Sequence, residues 1–92
     1  MKRDALLEVL RETRELLASP DNDFTWSGWK DSEAALKEID ALIDCVRSGA
    51  AVDASQVRVL FAPTGPIQEV SLGTGWSDRF LELANRIDGA MR

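Results

Sequence analysis

Residues 57–72 are the only part of the sequence with strand character, and stretches that read as helix lie on both sides. The segment runs Val57-Arg58-Val59-Leu60-Phe61-Ala62-Pro63-Thr64-Gly65-Pro66-Ile67-Gln68-Glu69-Val70-Ser71-Leu72. β-Branched and apolar residues fill both halves, and Pro-Thr-Gly-Pro separates them. That is the pattern of two strands, Val57–Ala62 and Ile67–Leu72, joined by a tight turn. A four-residue loop pairs Ala62 with Ile67, Leu60 with Glu69, Val59 with Val70 and Val57 with Leu72. This register puts Val57, Val59, Phe61, Val70 and Leu72, with Gln68, on a face that packs on helices. It leaves Leu60, Ala62 and Ile67, rimmed by Arg58, Glu69 and Ser71, on a face that still needs a cover.

The flanks have a different period. From Arg3 to Ala18, Leu6, Val9, Leu10, Thr13, Leu16 and Leu17 recur at the three- and four-residue spacing of a helix stripe. Pro20 ends that helix, because the residue before a proline avoids the α region. A second helix is predicted from Ser27 to about Ser48, with Trp29, Leu36, Ile39, Ile43 and Val46 on one face. Gly49 is then the left-handed residue just past its end. A third runs from about Gly75 to Met91 on Trp76, Phe80, Leu83, Ala84, Ile87 and Met91. The expected fold is a single α+β domain over residues 1–92, in the order α-α-β-β-α, with helices packed on one face of the hairpin.

Charge and residue usage exclude several functions. The chain has 16 acidic and 11 basic side chains, a net charge of −5. Such a balance argues against nucleic acid and against an anionic membrane, both of which need clustered Lys and Arg. The absence of histidine removes Ser-His and Cys-His nucleophile pairs and mixed Cys/His zinc sites. Cys45 stands alone and reads as a half-buried small residue rather than a nucleophile. The first twenty residues mix both signs of charge, and no apolar run nears the ~18 residues of a membrane span. A cytoplasmic location is expected.

Between the first two helices lies Pro20-Asp21-Asn22-Asp23-Phe24-Thr25-Trp26-Ser27. Its acidic start resembles a calcium loop, but Trp26 stands where glycine is needed and Ser32 where a bidentate glutamate is needed. No metal and no cofactor are predicted. Phe24 and Trp26 are expected to fold back onto the core.

Ser27-Gly28-Trp29-Lys30-Asp31 and Thr74-Gly75-Trp76-Ser77-Asp78 share the pattern [Ser/Thr]-Gly-Trp-x-Asp. Each reads as a helix start: a hydroxyl cap, an aspartate opposing the helix dipole, and a tryptophan anchor. A second reading makes Gly73-Thr74-Gly75, with Trp29 and Trp76, a small-ligand or phosphate site. It lacks the spacing and the lysine of the known phosphate loops. Acid–base chemistry rests on Asp21, Asp23, Asp31, Glu69 and Asp78 alone. No spacing sets two of them beside a nucleophile, and no catalytic residue is predicted.

The functional expectation is a non-enzymatic interaction protein. The open hairpin face suggests a homodimer with Arg58, Leu60, Ala62, Ile67 and Glu69 at the interface. An alternative is a binding module for another protein, of the toxin-neutralising kind, using the Asp21–Trp29 loop. A small-ligand or phosphate-binding protein, or a carboxylate enzyme, is the remaining alternative. The Asp21-Asn22-Asp23-Phe24 loop, the Ala62–Pro66 turn and Gly75-Trp76 together resemble a group of small uncharacterised bacterial proteins. That resemblance covers nearly the whole chain and implies a bacterial, cytoplasmic protein. It brings no activity and no site residues.

Overall fold

The computed structural model describes residues 1–63 and 65–92. It contains five helices: α1 (Arg3–Leu17), α2 (Ser32–Arg47), α3 (Ala54–Leu60), α4 (Pro66–Thr74) and α5 (Ser77–Met91). Among the described residues there is no strand. The fold is therefore all-α and not α+β, and the hairpin expected over residues 57–72 is instead a pair of short helices.

Local chemistry explains that outcome. Asp53 caps α3, its Oδ1 accepting the N–H groups of Ser55 at 2.9 Å and Gln56 at 3.3 Å. Pro66 occupies the first turn of α4, where its fixed φ suits a helix and its missing N–H costs nothing. Val57, Leu60 and Phe61 are buried at i, i+3, i+4, and so are Ile67, Val70 and Ser71. Val59 and Leu72, which a strand would have turned inward, are 64% and 58% exposed. Gly65 makes the turn between the helices close. A Cβ there would stand 2.6 Å from the carbonyl oxygen of Val59 and 2.9 Å from that of Ala62.

The hydrophobic face that suggested a homodimer disappears with the hairpin. Leu60 and Ile67 are core residues, 3% and 0% exposed, and Ala62 is half-buried. The chain covers this surface itself.

Helix α1 lies against both α2 and α5, and α4 lies against α5. Leu6, Leu10 and Leu17 of α1, Ile39 of α2, and Leu83 and Ile87 of α5 belong to one buried cluster that also takes in Val57, Leu60, Ile67 and Val70. The buried hydroxyl of Thr13 donates to the carbonyl of Val9 at 2.8 Å. Along the rim of the α1–α5 contact, Glu12 accepts hydrogen bonds from both Arg79 and Arg86. Arg14 pairs with Asp40 between α1 and α2. These pairs are partly solvated, so they orient the helices more than they stabilise them.

Two helix starts lie later than expected. α2 begins at Ser32 with Asp31 as its cap, accepting from the Ala34 N–H at 2.9 Å. Ser27 instead closes a turn, its Oγ donating to the Phe24 carbonyl at 2.8 Å and accepting from the Trp29 N–H at 3.1 Å. α5 begins at Ser77, and Gly75 is the left-handed end of α4, with φ 98°. Gly49 is left-handed after α2, as expected, with φ 78°. Among the described residues no helix is long and apolar enough to cross a membrane.

Candidate functional site

The loop from Ala18 to Asp31 joins α1 to α2 and is tied down at almost every step. Asn22 is its hub: its side-chain N–H donates to the Leu16 carbonyl at 2.6 Å, and its Oδ1 accepts the indole N–H of Trp76 at 2.9 Å. The Asp23 N–H donates to the Thr74 hydroxyl at 2.9 Å, fastening the loop to the end of α4. Asp23 Oδ1 then accepts the Thr25 N–H at 2.9 Å and the Thr25 hydroxyl at 2.6 Å. Those two bonds, the hydroxyl first, hold the Asp23 carboxyl below the usual aspartate range. The indole N–H of Trp29 donates to Glu38 of α2 at 3.0 Å. Phe24 and Trp29 pack against the core.

Trp26 does not follow them. It is 78% exposed, the most exposed of the large apolar side chains. The expectation that Phe24 and Trp26 both fold inward is therefore right for Phe24 and wrong for Trp26. The physical reason is the pair of turns around it. An aspartate turn at Asp23 and a serine turn at Ser27 fix the backbone on each side. The loop and the start of α2 border an open hollow of about 590 Å³, with Phe24, Trp29, Asn22, Lys30 and Asp31 among its walls. Asp21, Asp23 and Asp31 are all exposed on this loop, and Asp31 also lines the hollow.

The other predicted site residues are placed differently. Gly73 and Thr74 form the last turn of α4, so the strand-turn-helix cradle for phosphate is not formed. The amides that follow are already used, with Gly75 N–H and Trp76 N–H both donating to the Ser71 carbonyl. A carboxylate oxygen of Asp23 lies 3.4 Å from where a Cβ on Gly73 would stand, an unfavourable neighbour for an anion. Trp29 lines the hollow, whereas Trp76 is held behind the loop by Asn22. In the proposed dimer set, Arg58 is exposed, Glu69 and Ala62 are half-buried, and Leu60 and Ile67 are inside. Of the carboxylates, Asp31 is a cap and Asp78 sits in the first turn of α5. Among the described residues no group of three acidic or cysteine side chains could hold a metal ion. Cys45 is half-buried, its thiol donating to the Ala51 carbonyl at 3.2 Å.

Comparison with protein-family models, with curated proteins and with solved structures finds no match to this chain. Its function has to be read from its own surface.

Proposed function

We propose that the chain is a non-enzymatic protein-interaction domain that engages another protein through the α1–α2 loop. The observation that carries this reading is Trp26, 78% exposed on a loop whose backbone is pinned on both sides. A large aromatic on an already ordered loop can enter a partner's pocket with little further loss of conformational freedom. The exposed carboxylates of Asp21, Asp23 and Asp31, on a chain of net charge −5, favour a partner with an apolar pocket and a basic rim. The same carboxylates disfavour a second copy, because a two-fold contact at this loop sets like charges against each other. A cytoplasmic setting, with Cys45 as a free thiol, accompanies this proposal.

The test is affinity capture with the wild-type chain and with Trp26→Ser, followed by calorimetry on the purified pair. Trp26→Ser is expected to weaken binding by about thirtyfold, the effect of losing an anchor worth about 2 kcal/mol. The melting temperature should not fall, since the side chain is outside the core. A partner held equally well by the variant would overturn the reading. So would a concentration-dependent dimer in sedimentation that Trp26→Ser abolishes, since the partner would then be a second copy.

A further inference from the structure

Between residues 58–63 and α5 there is a second hollow, of about 400 Å³. That volume is at the small end of the range of about 300–1,000 Å³ found for ligand pockets. Its base is apolar, with Phe61 from the end of α3 and Phe80 and Ile87 from α5. Phe80, Ala84, Ile87 and Asp88 recur along α5 at i, i+4, i+7 and i+8, so a single helix face forms one wall. The polar groups are few: Arg58, Asn85 and Asp88.

Unengaged charges occur elsewhere on the surface, Arg11 and Lys30 among them, but here they border a buried apolar base of Phe61, Phe80 and Ile87. Arg14, Arg79 and Arg86 are all committed to carboxylates, and Arg3 is spent on the Val46 and Ala50 carbonyls. The side chains of Arg58 and Asp88, by contrast, make no ion pair or hydrogen bond among the described residues. A cation and an anion thus line one cavity with an apolar base and do not pair with each other. We propose that this hollow binds a free amino acid with an apolar side chain. Its carboxylate is taken by the Arg58 guanidinium and its ammonium group by Asp88. The Asn85 amide is available to either end, and the side chain lies on Phe61, Phe80 and Ile87. A bidentate guanidinium–carboxylate contact and an apolar base together distinguish such a ligand from a simple anion.

The test is an amide-resolved NMR titration of the full chain with L-phenylalanine, N-acetyl-L-phenylalanine and L-phenylalaninamide. Free phenylalanine is expected to give saturable shifts confined to the α3–α4 turn and the 80–88 face of α5. Each blocked form should bind at least about tenfold more weakly, which is the loss of about 1.4 kcal/mol for one charged contact. Arg58→Gln and Asp88→Asn should each do the same to the free amino acid. Both side chains are exposed, so circular dichroism and the melting curve check that the variants are folded. The site is separate from the α1–α2 loop, so Trp26→Ser should leave the titration unchanged. The proposal is overturned if there is no shift up to roughly 10 mM, tenfold above a millimolar dissociation constant. Equal shifts from all three compounds, or shifts that both variants leave intact, would also overturn it. Retention of the acetylated form with loss of the amide would mean a simple carboxylate site and overturn the amino-acid assignment.

Discussion

Helix α1 has 15 residues and meets two other long helices, whereas α3 has 7 and depends on what surrounds it. In α1 the apolar stripe runs through Leu6, Val9, Leu10 and Leu17, so stabilisation is spread over four turns. Glu12 and Arg14 add polar ties to both neighbours. The α3–α4 pair has fewer supports, and each can be named: the Asp53 cap, Pro66 in the first turn, Gly65 at the close approach, and Val57, Leu60, Phe61, Ile67 and Val70 inside. A helix too short to persist alone in water exists because its buried positions are taken up by the rest of the core. The contrast is between a distributed structure and one held at a few points.

Substitutions can break or sharpen that contrast. The largest effects belong to the buried leucines. Leu10→Ala should cost about 3–5 kcal/mol and Leu60→Ala about 2–4 kcal/mol in urea unfolding, the smaller figure where a short helix can relax into the gap. An unchanged midpoint for Leu60→Ala would mean that this side chain lies outside the core, on the outer face where the hairpin register put it. Next comes Gly65→Ala, expected to destabilise by about 1–3 kcal/mol because its Cβ meets backbone rather than a yielding side chain. Asp53→Ala should remove about 1 kcal/mol and speed amide exchange within α3, whereas exchange in α1 should keep its rate.

A smaller, pH-dependent effect separates the long-helix frame from the short pair. Hydrogen bonds from Arg86, with help from Arg79, hold the Glu12 carboxyl below its ordinary value of 4.5. A carboxyl depressed in the folded state contributes its full stabilisation above that ordinary value. The contribution is lost as pH falls through the folded one. Glu12→Gln should therefore flatten the acid limb of the stability–pH curve below about pH 4.5 and leave the neutral region parallel. An acid limb of unchanged slope would remove Glu12 from the account. The smallest effect is Val59→Ser, within about 0.5 kcal/mol, since Val59 is 64% exposed. In a hairpin that residue would have been core, so the ratio of the Leu60 and Val59 effects reports directly on helix against strand.

The repeated Ser/Thr-Gly-Trp-x-Asp motif shows how far a local pattern carries. In both copies the glycine is left-handed, with φ 84° at Gly28 and 98° at Gly75. In both, the indole N–H reaches a side-chain oxygen, from Glu38 for Trp29 and Asn22 for Trp76. The placement against the helix differs, however. Asp31 is the cap of α2, while Asp78 already lies inside α5, whose cap position is Trp76. The glycine and the tryptophan have local roles that the motif specifies. Which residue begins the helix depends on where Ser27 and Ser71 find partners. The candidate contact loop was legible as a polar stretch bearing aromatics. Nothing local distinguishes the half-buried Phe24 from the exposed Trp26, because neither sits in a periodic segment.

What the sequence determined by itself is the frame: three long helices, each with an apolar stripe sustained over enough turns to exclude any other period. It also determined the left-handed Gly49 and the acidic surface. Between residues 54 and 74 the local signals were divided. Val57, Val59 and Phe61 fit a period of two, while Val57, Leu60 and Phe61 fit a helical one. The Asp53 cap and Pro66 tilt the balance without deciding it. Runs this short satisfy both periods, and hydrogen bonding along seven residues is too weak to choose between them. Only the tertiary structure decides. The core formed with α1, α2 and α5 has room for Leu60 and Ile67, and burying those two side chains makes the helix the lower state.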